Sequence, residues 1–287
     1  MADNIITTSG TTASTAIKDS DFRKIMKLAM EHWGLHVTDK KRQLVSNRMT
    51  RFLRHSTFDS PKAYLRFLEE NGSEDDYLEF FDLLSTNVTH FFRERAHFDF
   101  LEREFYTPLA RGTLTRPGKR IRMWSAACSN GAEPFSMAIQ ALDLLPDLER
   151  WDFKILASDL STSMIQEASE AVYPLKMVEQ VEPELLNRYF LRGKGNREGF
   201  VKVCREARSL VTLRQINLMG EWPMRGLFDV IFCRNVMIYF DRPTRSRLVE
   251  RMYNLLSPGG YLMIGSAETL SGLNSEFSVV QPATYQK

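Results

Sequence analysis

From Arg120 onward the chain alternates short apolar runs with helical segments, and that alternation leaves few folds open. Residues 120–127 (RIRMWSAA) read as a strand, 134–145 as a helix, 153–158 as a strand and 162–171 as a helix. Residues 228–233 (FDVIFC) are then a buried strand, 243–256 a helix, and 260–265 a strand after the turn Ser257-Pro258-Gly259-Gly260. Strand and helix in turn build a mostly parallel sheet covered by helices, with ligands at the carboxyl ends of the strands. Between Gly193 and Ile216 the pattern breaks: GKGNREGFVKV followed by SLVTLRQI predicts a short antiparallel hairpin or three-stranded insert, a β subdomain over 193–216.

Upstream the period is helical. Asp19-Ser20-Asp21 can cap a helix whose apolar residues Phe22, Ile25, Met26, Leu28 and Ala29 recur at three-to-four spacing until Gly34. A second helix covers about 41–54, a third opens at Ser60-Pro61 and ends near Asn71-Gly72, and a fourth runs over about 74–85. Residues 18–86 therefore read as a small all-α domain, and 87–287 as the sheet domain, with 87–119 as linker and connecting helix. Residues 1–17 hold seven Ser/Thr and little to bury, so a disordered tail is expected there. The length of 287 residues suits about two domains.

Charge narrows the function classes. Thirty-eight Lys+Arg against 36 Asp+Glu give a net charge of +2, too weak a field for generic nucleic-acid binding. No apolar run approaches the roughly 20 residues of a spanning helix and no signal peptide is seen, so no direct membrane insertion and a cytoplasmic compartment are expected. The three cysteines contain no CxxC and the five histidines no ligand cluster, so neither a disulfide scaffold nor a metal site is expected.

The first strand runs through Cys128-Ser129-Asn130-Gly131-Ala132-Glu133-Pro134 into a helix, the usual seat of a nucleotide-like cofactor. A dinucleotide loop uses about three glycines, but here Gly131 stands alone and Glu133 would lie beside the phosphates. S-adenosylmethionine carries an ammonium, a sulfonium and no phosphate, and suits an acidic loop; equally, Glu133 can simply complement the helix dipole. Asp159, ending KILASD, can accept ribose hydroxyls or cap the helix starting near Thr162. Arg234-Asn235 at the mouth of FDVIFC and the polar, aromatic stretch Ser85–Glu94 are two further anomalies. Loop solvation and a core-packed linker are their plain readings, and His90 and His97 read as ordinary packing residues.

Taken together, TNVTHFFRE, WSAACSNGAEPFSMA, LASD, QINL and FDVIFCRNVMIYFD closely resemble the chemotaxis receptor methyltransferase family over about residues 20–285. The resemblance implies an α/β, Rossmann-like S-adenosylmethionine-dependent methyltransferase domain with a small antiparallel β insert, preceded by a small all-α receptor-docking domain. It implies methyl transfer to receptor glutamates, with S-adenosylhomocysteine as product and sensory adaptation as the outcome. It implies cofactor contacts at Asn87, Thr89, Arg93, Glu133, Asp159, Asn217, Leu218, Arg234 and Asn235, with Arg93 and Tyr239 nearest the transferred methyl and catalytic. Where the family commonly reads GEEP this chain has Gly131-Ala132-Glu133-Pro134, so the first acid is missing and the second, carried over as a ligand, remains.

A glutamate carboxylate, with a pKa near 4.3, is ionised at neutral pH and needs no general base, so alignment is the main catalytic requirement. An acidic acceptor predicts a positive patch. Residues 40–54 carry six cations and no acid, with Leu44, Val45, Met49, Phe52 and Leu53 as the inward stripe and Arg48, Arg51 and Arg54 sharing an outer face. Such a run is commonly a solvated face; in a chain expected to capture acidic receptor helices, docking is the better reading. The expected partners are the cytoplasmic helical region of methyl-accepting receptors, in membrane-bound arrays, and a receptor C-terminal peptide paired to the β insert. No nucleic-acid partner is expected. An RNA or small-molecule methyltransferase and a non-catalytic receptor-binding adaptor are the competing readings.

Overall fold

The computed structural model describes residues 17–273 and 275–287. It divides into two compact units, one through Ser85 and one from Thr86. The first is all helical: α1 (Asp19–Trp33), α2 (Arg42–Leu53), α3 (Pro61–Asn71) and α4 (Glu74–Leu84). Its boundaries follow local chemistry. The Ser60 side chain accepts the Ala63 amide with Pro61 in the first turn of α3, and Ser73 and Asp76 close a reciprocal capping box on α4. Gly34 ends α1 at φ 65°, in the left-handed region that glycine enters most easily. Phe22, Ile25, Leu28, Ala29 and Trp33 are the buried stripe of α1.

Four expectations change here. Most of the expected tail, residues 1–16, lies outside the described residues, but Ile17, included in it, is buried. Asp19 and Asp21 sit inside the first turn of α1, with Lys18 as N-cap, and Asp19 pairs with Arg42. Leu44, expected to face inward, is exposed. Arg48 does not share a free outer face with Arg51 and Arg54: it is half-buried and its guanidinium donates to the carbonyls of Leu83, at 3.3 Å, and Ser85. Those carbonyls end α4 and lack helical partners, so Arg48 satisfies them from α2, while Arg51 and Arg54 remain exposed.

The second unit opens with α5 (Arg95–Leu101), which passes through a π turn at Glu102–Tyr106 into α6 (Thr107–Ala110). There follow β1 (Arg120–Ala126), α7 (Ala132–Leu144), β2 (Asp152–Asp159), α8 (Thr162–Glu170), β3 (Val172–Pro174), α9 (Pro183–Tyr189), β4 (Phe190–Arg192), β5 (Phe200–Val203), α10 (Arg205–Ser209) and β6 (Val211–Gln215). The chain closes with β7 (Phe228–Cys233), α11 (Arg242–Leu255), β8 (Leu256–Ile264), β9 (Ser278–Gln281) and β10 (Thr284–Gln286).

The main sheet runs β6-β2-β1-β7-β8-β10-β9, parallel through β8 and antiparallel at β10 and β9. The order reverses between β1 and β7, and Ala126 is level there with Ser158 on β2 and Cys233 on β7. A crevice at the carboxyl ends of such strands is where open α/β sheets bind ligands. All six residues of β7 are buried; its Asp229 is tolerated because Arg116 pairs with it at 2.7 Å and the Arg122 amide donates to it at 2.9 Å. Phe91, Phe98, Phe105, Phe135 and Phe232 fill the core beneath the helices.

The small sheet, order β3-β5-β4, is antiparallel as expected, but it does not span 193–216. It recruits Val172–Pro174 and Phe190–Arg192, whereas Val211–Gln215 leaves it to pair parallel with β2. The short helix Arg205–Ser209 separates the two β segments, and the Leu210 carbonyl then accepts the Ile155 amide, which starts the β2 pairing. Strand β8 also starts earlier than the turn at 257–260 suggests, because Gly259 and Gly260 pair with Lys287 at the end of the hairpin β9–β10.

Candidate active site

Five segments reach the carboxyl ends of the strands: 87–94, the β1–α7 loop, the end of β2, the turn after β6 and the residues after β7. Their backbones are unusual. Phe92, Glu94, Ala127, Ser129 and Asn235 all have φ between 50° and 62°, and Gly131 has φ 89°. Left-handed backbone at five non-glycine residues persists only where the surroundings over-determine it, and such strain gathers at functional sites. At Gly131 a side chain is excluded outright: a Cβ there would lie 2.8 Å from the Ala168 Cβ and 3.1 Å from the Tyr173 hydroxyl.

The loop amides show what this site can hold. Ser129 N–H donates to the Asp159 carboxylate at 2.8 Å, Gly131 N–H to the Cys128 carbonyl at 3.1 Å, and Ser161 N–H to the other Asp159 oxygen at 3.0 Å. The donors that cradle a pyrophosphate in a dinucleotide fold are thus directed to internal acceptors, one of them an anion. Asp159 is buried and held by two amides, and the N-cap of α8 is Ser161 instead. Beside it, the Ile216 amide donates to the Asp159 carbonyl at 3.0 Å, which brings Asn217 and buried Leu218 to the same end of the sheet.

Across the crevice lies an ionic cluster. Arg234 is buried, not solvated: its guanidinium meets Glu133 at 3.0 Å, Glu94 at 3.2 Å and the Arg93 carbonyl at 2.6 Å. Its Nε is buried with no partner among the described residues. Glu133 also accepts from the Ser125 hydroxyl at 2.7 Å. Burial pushes the Glu133 carboxyl up, against Arg234 and Ser125; on Glu94 burial acts the same way, but Arg234, with Asn235, holds that carboxyl below the usual range. Asn235 donates to Glu94 at 3.3 Å, and its amide N–H to Glu268 at 2.9 Å. Glu268 also accepts the Gly265 and Ile238 amides, at 2.6 and 3.1 Å, fixing the turn Met237–Tyr239 that carries Tyr239. Arg93 donates to the Val88 carbonyl at 2.8 Å, closing the stretch that contains Thr89, and Ser129 Oγ donates to the Asn87 carbonyl at 3.3 Å.

The fold therefore brings Asn87, Thr89, Arg93, Glu133, Asp159, Asn217, Leu218, Arg234, Asn235 and Tyr239 onto segments at one end of one sheet. Sequence reading missed Glu94 and Glu268, most of whose partners lie far off in sequence, and Ser125, which meets Glu133 eight residues on; the clustering of Glu94 with Arg93 in HFFRE was the one available signal. His97, read as a packing residue, is buried, and desolvation with the nearby Arg234 pushes its pKa down to about 4. Phe91 and Phe92 pack in the core.

Residues 87–286 match the S-adenosylmethionine-binding domain of the CheR methyltransferases, and residues 20–85 match the all-α domain of the same proteins. The chain belongs to the CheR methyltransferase family. It is 39% identical to the chemotaxis protein methyltransferase of Salmonella typhimurium over 96% of this chain and 92% of that one. It is 42% identical to chemotaxis protein methyltransferase 2 of Pseudomonas aeruginosa over 86% of each, and 37% identical to the Escherichia coli chemotaxis protein methyltransferase over 96% of this chain and 93% of that one.

The cofactor of this CheR domain is S-adenosylmethionine, and the site fits it. The loop amides leave no phosphate cradle, and four carboxyl groups (Glu94, Glu133, Asp159, Glu268) stand against two guanidiniums (Arg93, Arg234), a balance suited to a cation. Ala132 is fully buried in the core. Among the described residues no helix is long and apolar enough to cross a membrane.

Proposed function

We propose that this methyltransferase transfers the methyl group to glutamate side chains in the cytoplasmic helices of chemotaxis receptors, forming methyl esters that reset receptor sensitivity. The observation that carries this reading is the match of both domains, nearly end to end, with proteins named for chemotaxis methylation. When bound, S-adenosylmethionine supplies a sulfonium-activated methyl group open to in-line displacement. Asp159, flanked by Asn217 and Leu218, holds the ribose side; Glu133, Arg234, Asn235, Asn87 and Thr89 hold the rest. The acceptor carboxylate arrives ionised, so Arg93 and Tyr239 orient it and exclude water and no proton has to be removed.

Arg51 and Arg54 attract the acidic receptor, while Arg48 supports them from within the helical unit. The outer strands of the small antiparallel sheet accept a receptor C-terminal peptide by backbone pairing; Leu191 on β4 is 62% exposed there. Receptor binding brings the enzyme to membrane arrays.

Incubation with methyl-labelled S-adenosylmethionine and a receptor cytoplasmic fragment tests the reading. Label lost in mild alkali, as esters lose it, is the expected result; stable label or none overturns it. Tyr239→Phe should bind cofactor normally and methylate slowly at saturating receptor, with no new pH dependence, because no general base is lost.

A further inference from the structure

The turn after β6 is held from outside by a side chain that no sequence motif singles out. Asn217 closes the turn on itself: its side-chain oxygen accepts the Met219 amide at 2.9 Å and its carbonyl accepts the Gly220 amide at 3.1 Å. That leaves the carbonyls of Leu218 and Gly220 to be satisfied. Arg251, on α11, donates to both, at 2.9 Å and 2.7 Å from its two terminal nitrogens. The guanidinium plane also lies over the Trp222 ring, 3.7 Å from its centroid, and Trp222 meets Trp124 of β1 edge-on at 4.9 Å. A planar fork suits two carbonyls two residues apart and a flat ring face together, which a lysine ammonium cannot match. Trp222 Nε1, by contrast, is buried without a partner among the described residues, so it is the stack and not a hydrogen bond that seats the indole.

We propose that Arg251 is a positioning residue for the cofactor, locking the turn 217–222 so that Asn217 and Leu218 are preorganised beside Asp159. The proposal deepens the reading of Asn217 and Leu218 as cofactor contacts. Arg251 touches neither cofactor nor acceptor on this account; it acts through the turn. Removing it leaves two carbonyls without donors and an indole free to swing, and the ordering of the turn is then borne by the binding step.

Two variants test it. Arg251→Met keeps an unbranched apolar side chain and removes both donors together with the guanidinium over Trp222; Arg251→Lys keeps the charge but cannot grip both carbonyls. The readouts are the dissociation constant for S-adenosylhomocysteine by calorimetry, which needs no receptor, and the KM for S-adenosylmethionine and kcat with receptor fragment. Arg251→Met should weaken S-adenosylhomocysteine and raise the cofactor KM about tenfold, with kcat at saturating cofactor within about twofold and receptor KM unchanged. Arg251→Lys should fall between it and the parent. A merely structural role lowers the active fraction, and so kcat, at constant KM and constant dissociation constant; that pattern overturns the proposal, as does parental affinity in the Met variant. If Arg251→Met does not fold, the affinity of Arg251→Lys decides in the same way. A parent that binds S-adenosylhomocysteine but esterifies no receptor defeats the proposed function and leaves this inference standing.

Discussion

The helical unit and the strand-end site use arginine in opposite ways. Arg48 reaches 35 residues along the chain to neutral carbonyls at the end of α4, half in solvent. Arg234, itself buried, reaches 101 and 141 residues to a half-buried carboxylate and a backbone carbonyl of the candidate site. The first finishes a helix that local sequence already specifies. The second holds together segments that nothing local would bring near each other, and does so with buried charge, where loss of one partner strands another.

The sharpest way to break this contrast is to remove the buried guanidinium. Arg234→Met leaves Glu133 and Glu94 without their cation and should cost about 3–5 kcal/mol of stability, read by denaturant unfolding. A loss under about 1 kcal/mol would put Arg234 in the same class as a surface arginine.

The next effect is pH dependence confined to the second unit. His97 is held at a pKa of about 4, against an ordinary 6.5, by burial and by Arg234. As pH falls the unfolded chain takes up a proton that the folded chain refuses. This contribution is therefore present above pH 6.5 and lost between 6.5 and 4, about 3 kcal/mol in full. Glu94, also depressed, adds to the loss below the ordinary carboxylate range, and Glu133, raised, opposes it. Thermal midpoints recorded from pH 7.5 to 4 should fall more steeply in the parent than in His97→Leu; parallel curves would remove His97 from the account.

Asp159 sharpens the comparison within the site. Asp159→Ala should weaken S-adenosylhomocysteine by about 1–3 kcal/mol in calorimetry, roughly five- to 150-fold, since on the proposed reading the ribose side loses its acceptor, and the Ser129 and Ser161 amides lose theirs. Unchanged affinity would dissolve the proposed pocket.

The same contrast governs what the sequence made legible. Helix limits in the first unit were readable to within one or two residues because Ser60, Pro61, Ser73 and Gly34 act on their immediate neighbours. The alternation after Arg120 announced the sheet, and the resemblance announced the family. What stayed hidden was set by distant pairing: β6 joining β2 and not the insert, the C-terminal hairpin drawing Gly259 and Gly260 into β8, Arg251 gripping the turn after β6. Arg48 failed for the same reason. Its spacing with Arg51 and Arg54 is that of one helix face, but which part of the face meets α4 is a tertiary fact.

That pair of arginines gives the smallest effect and the closest control. Arg48→Met removes a charged donor from two helix-end carbonyls and should destabilise the first unit by about 1–2 kcal/mol. Arg54→Met, at an exposed position, should change stability by no more than about 0.5 kcal/mol. Receptor methylation should order them the other way: Arg54→Glu slows it, the deficit shrinking as added salt screens the approach, with cofactor affinity unchanged. Arg48→Met should retain most of its rate wherever the unit is folded. If both variants lower stability alike and neither changes the salt dependence, the basic run on α2 is a solvated face with one structural member. If Arg54→Glu alone responds to salt, the periodicity of that helix marks a docking surface from which Arg48 has been withdrawn to finish α4.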